Sequence, residues 1–449
     1  MTMGRRIVVR ATQVGFAFAS VTAPAGAAGF ALDHQNAAAM GAAFAGAEAV
    51  LADPGFAAHN PASIAGIDGL EASLNATGVW PQSSYEDGAA LLFGVAPVTG
   101  ETAGRNFADD AIVPNLSVAA RLSDRLTVGL VANATFGFVT NFSENSVVRY
   151  QARTSDLRVL ELTPVAAYRI GRGVNIAAGL RFQSMNLDLT STIDAGGVAA
   201  AFLVPGFTPG SSDLDARFEG SDWGVGFSVG VNAQPCERLT LGAFFHSKVA
   251  HDLDGAAEFD LASSPAAQIL NGAAGLFDAD RFATALSTPA SAGLGVRLAA
   301  SERWTILAST KVTRWSEFEG VTLSFNDGAT PAETVTQDWK DAWSASVGAE
   351  YAIGARTDVR AGVMVDQSPV NADFATPRIP DGDRHWFAAG VTQEFSEHLS
   401  ADLGLAYAFF SDRRIRNGGA LPEDALRGAL SADFSTEAYA VSVRLRYKL

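Results

Sequence analysis

The sequence predicts an all-β membrane protein, a 14-stranded antiparallel transmembrane β-barrel plugged by a small N-terminal hatch. Three observations carry that expectation: the composition, a period-two alternation of apolar and polar residues, and a regular contrast between very short and long connections. The 449 residues are 48% hydrophobic but only 18% charged, with 44 Gly and 28 Phe. Ordinary globular chains carry about 25% charged residues and about 7% Gly. Past residue 32 no charge-free apolar run reaches the roughly 18 residues that a membrane helix needs, so a helical membrane protein is excluded. A formal net charge of −16 disfavours a nucleic-acid partner, because phosphate binding requires clustered cations. The lone Cys236 excludes a disulfide framework and a cysteine-based zinc cluster.

The first residues read as an export signal over 1–28. Arg5, Arg6 and Arg10 precede a short apolar core at Val14 to Ala19, and Ala25-Gly26-Ala27 supplies small residues for cleavage.

Residues 29–68 do not alternate. Asn36 to Ala47 is small and alanine-rich, followed by Asp53-Pro54 and Asn60-Pro61-Ala62. Alanine favours short helical turns, and Pro is accepted at a first helical position. Disordered chains are charge-rich and weakly hydrophobic, so a nearly uncharged segment here is expected to be a compact plug.

From residue 69 the alternation begins and recurs to the end of the sequence. Tyr439, Val441, Val443, Leu445 and Tyr447 share one face, and Ala440, Ser442, Arg444 and Arg446 share the other. Leu399 to Phe409 and Val174 to Phe182 repeat the pattern. The polar faces are small, mixed and glycine-rich, as a lumen behind a lipid-facing band requires. Six connections are tight: Ser123-Asp124-Arg125, Gly171-Arg172-Gly173, Pro235-Cys236-Glu237, Ser301-Glu302-Arg303, Gly354-Ala355-Arg356 and Ser396-Glu397-His398. Long segments separate them. Six tight turns join twelve strands, and one strand at each end brings the barrel over 69–449 to fourteen. Short periplasmic turns and long outer loops are the outer-membrane pattern.

Further motifs follow one another along the chain: Gly41-x-x-x-x-Gly46-Ala47 ahead of Asn60-Pro61-Ala62, then Phe136-Gly137 with Thr140-Asn141, Arg149-Tyr150, Asp222-Trp223-Gly224, Ser247-Lys248-Val249, Trp315-Ser316, and Pro380-Asp381-x-Asp383-Arg384-x-Trp386. In this order they resemble the motifs of the FadL / OmpP1 / TodX family of outer-membrane transporters for long-chain fatty acids and hydrophobic compounds, and the first pair is similar to the family's hatch. The resemblance implies a monomeric barrel in outer-membrane lipid that takes hydrophobic cargo from its outer loops and releases it sideways near a kinked third strand. That places the lateral exit at Phe136 and Gly137. Members often carry Pro just before this pair, where this chain has Thr135, which leaves Gly137 to weaken the local ladder.

A carrier of fatty acids needs an apolar tunnel and a cation for the carboxylate, since an unpaired buried charge is costly. With the apolar faces outward, Arg181 on the fifth strand and Lys311 on the ninth point into the lumen, and Arg149 opens the Arg-Tyr motif on the fourth; these are the candidate carboxylate partners. Met40, Phe44 and Ile64 are candidate walls of a cargo pocket. The six His form no metal-binding or catalytic spacing, so no catalytic group, metal or cofactor is expected. The expected function is facilitated diffusion of long-chain fatty acids or similar molecules. A channel for neutral aromatic hydrocarbons is the alternative, and an outer-membrane lipase is a more distant one that lacks a nucleophile–His pair.

Overall fold

The computed structural model describes residues 29–449, apart from residues 172, 419, 420 and 422. The expected export signal over residues 1–28 lies outside the described residues. Fourteen antiparallel strands close into a barrel. They are β1 (Leu70–Leu92), β2 (Ala111–Arg121), β3 (Leu126–Asn141), β4 (Thr154–Gly171), β5 (Val174–Asp194), β6 (Asp213–Cys236) and β7 (Leu239–His246, resuming as Val249–Phe259). There follow β8 (Arg281–Thr288, resuming as Ser291–Ala299), β9 (Trp304–Thr313, then Gly320–Phe325), β10 (Glu333–Thr336, then Ala342–Ala352) and β11 (Thr357–Asp366). The last three are β12 (Arg384–Glu394), β13 (Leu399–Phe410, then Arg413–Asn417) and β14 (Ala429–Lys448). Each strand pairs with its neighbour in sequence, and β14 returns to β1 from Lys448 opposite Glu71 to Ala429 opposite Leu91. Closure matters because in lipid every backbone polar group must be satisfied within the sheet.

The alternation places side chains as expected. On β14, Tyr439, Val441, Val443, Leu445 and Tyr447 are exposed, whereas Ala440, Ser442 and Arg444 are buried. The apolar band has a visible upper limit. On β6 the outward residues run Val231, Val229, Phe227, Val225 and Trp223, and beyond them come Ser221, Glu219 and Arg217. β4 to β8 therefore continue as a polar-walled collar outside the membrane.

Residues 29–68 lie inside the ring as an inner segment of tight turns: α1 (Ala37–Met40) and three 3-10 turns, Ala47–Ala49, Pro54–Phe56 and Pro61–Ile64. The turns pack against β1, β2, β3 to β8 and β12 to β14. Lumenal glycines make that approach possible. A methyl group on Gly362 would lie 2.1 Å from the Ala42 carbonyl oxygen, and one on Gly230 would lie 2.0 Å from Asn60 Oδ1. The high glycine content thus serves the seating of the inner segment as well as the pleat.

Two stretches of the wall depart from a regular ladder. Around residues 222–227 and 247–253, β7 folds inward over β6; Gly224 lies beneath Val249, and the Asp252 N–H donates to the Asp222 carboxylate at 2.9 Å instead of to a strand partner. The other departure is in β3. Its pairing with β4 slips between Ala134 and Phe136, leaving Thr135 as an extra residue. A bulge bends a strand and frees it from its neighbour. The shift falls just before Phe136-Gly137 and needs no proline.

Candidate functional site

The site is built from the inner segment, the bent strand and the cavities around them. β3 pairs with β2 only from Thr127–Arg121 to Asn133–Asn115. Beyond Asn133 it turns away, leaving residues 111–114 of β2 without β3. The inner segment takes the missing place. Leu32 N–H donates to the Thr135 carbonyl at 2.9 Å, and Gly137 N–H donates to the Phe30 carbonyl at 2.8 Å, with Ala31 bridged to Phe136. Leu32 is buried between Val113 and Ala134. Farther out the seam is closed again by Phe107, which accepts from the Asn141 N–H at 2.6 Å. The wall thus contains a window between β2 and β3, filled by Phe30 to Leu32.

Below the window lies a polar chamber. Lys311 on β9 donates to both oxygens of Asp33, at 2.6 Å to Oδ1. Burial would raise the Asp33 carboxyl, but Lys311 holds it below its ordinary value. Arg181 on β5 donates from Nε to Glu161 Oε2 at 3.0 Å and from Nη1 to the Ser247 carbonyl at 2.8 Å. Glu48 accepts from the Ser309 hydroxyl, and burial pushes its carboxyl up to about 7. The cations of this chamber are met by acids of the protein itself.

The inner segment is anchored by its own polar residues. Asn60 precedes the 3-10 turn begun by Pro61 and caps it, accepting from the Ala62 N–H at 3.0 Å. Its amide donates to the Glu48 carbonyl at 2.6 Å and to Asn232 Oδ1 on β6 at 2.9 Å. Pro sets its own φ and biases the preceding residue to extended geometry, as Asn60 shows with φ −150°. Asp53 binds Arg444 at 2.9 Å and Arg446 at 3.2 Å on β14.

A second cavity lies on the outer side of the polar chamber and is of opposite character. Twelve of its sixteen lining residues are apolar, among them Phe30, Phe138, Leu157, Met185, Leu286 and Phe318. Its polar lining is sparse: Ser155, Glu333, Gln337 and Arg378. A wider vestibule adjoins it through Glu333, edged by Phe218, Phe259 and Phe325.

The sequence-expected residues are distributed as follows. Phe136 and Gly137 lie at the window. Phe44 lines the polar chamber. Met40 packs against Trp386 and Met364, and Ile64 against Ala119, Val131 and Val165, so both face barrel wall. Ala62 is fully buried in the same packing. Arg181 and Lys311 point into the lumen and are ion-paired. Arg149 is not on β4 but in the loop before it, bonded to Asp213 at 3.2 Å and stacked on Tyr150 at 4.5 Å. Phe30, Asp33 and Arg378 were not singled out in the sequence. Asp33 alone left a trace there, as the first charge after Arg10.

The profile of the outer membrane protein transport family (OMPP1/FadL/TodX) matches residues 18–449. The chain is similar to a putative outer membrane protein of Neisseria meningitidis, NMB0088, with 29% identity over 97% of each chain. It is 27% identical to a long-chain fatty acid transport protein of Escherichia coli O6:H1, over 90% of this chain and 92% of that one. Among solved structures, the fold matches a Pseudomonas aeruginosa FadL homologue with a TM-score of 0.83 and 24% identity, covering 94% of this chain and 99% of that one. A bacterial outer-membrane barrel whose relatives are transport channels for hydrophobic molecules is what these comparisons and the geometry describe together. The chain belongs to the OMPP1/FadL/TodX family of outer-membrane transport proteins.

Proposed function

We propose that the protein carries long-chain fatty acids, or similar amphipathic hydrophobic molecules, across the outer membrane by facilitated diffusion, acting as a monomer. The observation that supports this reading most is the apolar cavity placed between an aromatic vestibule and the β2–β3 window. In this reading cargo is gathered by the outer loops, where Phe202 and Leu203 after α2 (Ala195–Ala201) are exposed. It then settles in the apolar cavity and leaves sideways into the lipid when Phe30 to Leu32 withdraw. Residues 29–68 serve as the hatch, blocking the straight route to the periplasm, with Asn60-Pro61-Ala62 as its anchor point. The fatty-acid transport proteins among the relatives favour an acid as cargo. A deletion strain rescued by this gene should regain growth on oleate. Rescue on toluene without rescue on oleate would overturn the reading in favour of a neutral aromatic cargo.

A further inference from the structure

We propose that Arg378 is the specificity-determining residue of the apolar cavity, binding the anionic head group of a long-chain carboxylate whose tail lies among Phe30, Phe138, Leu157 and Met185. This rests on the transport reading above and assigns its recognition chemistry.

The case is one of charge accounting. Arg378 stands in the loop between β11 and β12, and its side chain borders both the apolar cavity and a smaller one beside Phe107 and Phe410. Its guanidinium donates from Nη1 to the Ser155 hydroxyl at 2.9 Å and to the Thr154 carbonyl at 3.3 Å, and from Nη2 to the Ser191 hydroxyl at 2.8 Å. All three partners are neutral. An arginine carries five N–H donors in a planar fork, so Nε–H and one Nη2–H remain to donate, the side-on pair that fits a carboxylate. Glu333 lines the same cavity and attracts Arg378, yet forms no ion pair with it. The most deeply buried arginines of the barrel are different. Arg181 binds Glu161, Arg360 binds Glu350 and Asp402, Arg384 binds Asp366 and Asp381, and Arg444 binds Asp53 and Asp402.

A cation left without an acid in an apolar chamber is costly unless something anionic meets it there. A neutral hydrocarbon has no use for it, whereas a fatty acid supplies a carboxylate and a tail together. The loop also ties the head-group position to the exit. The Arg378 carbonyl accepts from Thr140 on β3 at 3.1 Å, and Asp381 accepts from the Gly29 N–H, next to the window plug, at 3.1 Å.

The test compares oleate with methyl oleate, which has the same tail and no charge, for binding and uptake by the full-length protein. Arg378→Gln should weaken oleate about tenfold or more, as expected for a charge-assisted bond, and leave methyl oleate unchanged. Arg378→Lys should keep most of the oleate affinity. Equal losses for both cargoes, or no loss, would overturn the proposal, as would a charge-selective loss in Lys311→Ala with none in Arg378→Gln. If Arg378→Gln does not give a barrel that resists SDS until heated, Glu333→Gln replaces it. That variant keeps Arg378, removes the nearest acid and should tighten oleate alone; unchanged or weaker oleate binding overturns the proposal. A wild-type protein that binds and transports neither cargo defeats the transport reading itself, and the assignment of Arg378 with it.

Discussion

The seam where β14 meets β1 and the seam where β2 meets β3 are made of the same kind of alternating strand, yet they are closed differently. The first is paired from Glu71 to Leu91 with one shift, between Glu86 and Ala89. The second is paired only over Asn115–Arg121, and beyond that β3 bonds instead to Phe30 and Leu32, which belong to no strand of the barrel. A buried backbone N–H or C=O must find a partner, and on the β3 side of the second seam Phe30 and Leu32 supply it. The difference is in what must move to break them. Opening the first breaks the barrel; opening the second only displaces a short surrogate strand.

The largest contrast should come from proline. Val441 pairs with Gly78 on one side and Leu405 on the other, so Val441→Pro removes a ladder donor in a central strand. The folded form that resists SDS until heated should disappear. Thr135 is skipped by the β3–β4 register, and its hydroxyl has no partner. Its carbonyl, which accepts from Leu32, survives substitution. Thr135→Pro should therefore leave the heat-modifiable band at wild-type intensity, and loss of both bands would erase the distinction between the seams.

A reversible lock probes the second seam directly. Ala31 and Phe136 are bridge partners, and antiparallel partners lie roughly 4.5–5.5 Å apart at Cα, within disulfide reach. With Cys236 replaced by Ser, the pair Ala31→Cys and Phe136→Cys should bring oleate uptake to background when oxidised and restore it on reduction. Uptake indifferent to reductant would place the exit elsewhere.

Asn60→Ala removes the cap of the Pro61 turn and the bonds to Glu48 and Asn232. Leaving such buried groups unmet costs about 1–3 kcal/mol. Amide exchange of residues 29–68 should accelerate by about tenfold or more, while the barrel keeps its resistance to SDS. Unchanged exchange would show that packing alone seats the segment.

The smallest effect concerns Glu48. Burial raises its carboxyl from 4.5 to about 7, so the stability this group gives the seated segment is fully present below about 4.5 and is lost as pH rises through 7. His34 and His59 act oppositely. Burial lowers each from 6.5 to about 4, so their contribution is present above 6.5 and falls away toward 4. The difference between Glu48→Gln and wild type cancels the histidines. It should show slower exchange of residues 29–68 in the variant at pH 8, shrinking to nothing near pH 4.5. A pH-independent difference would assign the effect to hydrogen bonding with Ser309.

Much of this architecture was legible because a strand announces itself every second residue. The alternation at Tyr439 to Tyr447, the tight turns and the lumenal direction of Arg181 and Lys311 all follow from local pattern. Asn60 was legible too, since Asn before Pro is a turn-capping pair at any depth. What the pattern does not hold is pairing between distant residues. Lys311 meets Asp33 across 278 positions, and no periodicity connects them. The bulge at Thr135 carries no proline to mark it. Arg378 lies in a loop without alternation, so its direction is set entirely by the strands the loop crosses.

The return of β14 to β1 also bears on assembly. Glu71 and Lys448 come together only after nearly the whole chain is in place, and closing so long a loop costs entropy before any contact repays it. Contacts so remote in sequence make folding slow. The segment that occupies the lumen is joined directly to β1, one of the two edges that must meet. A segment tethered to one closing edge is drawn in most readily while the sheet still curls, as a bottle is built around its stopper. A variant that seats this segment late would be trapped as an open sheet with two unpaired edges, a form prone to capture by other strands.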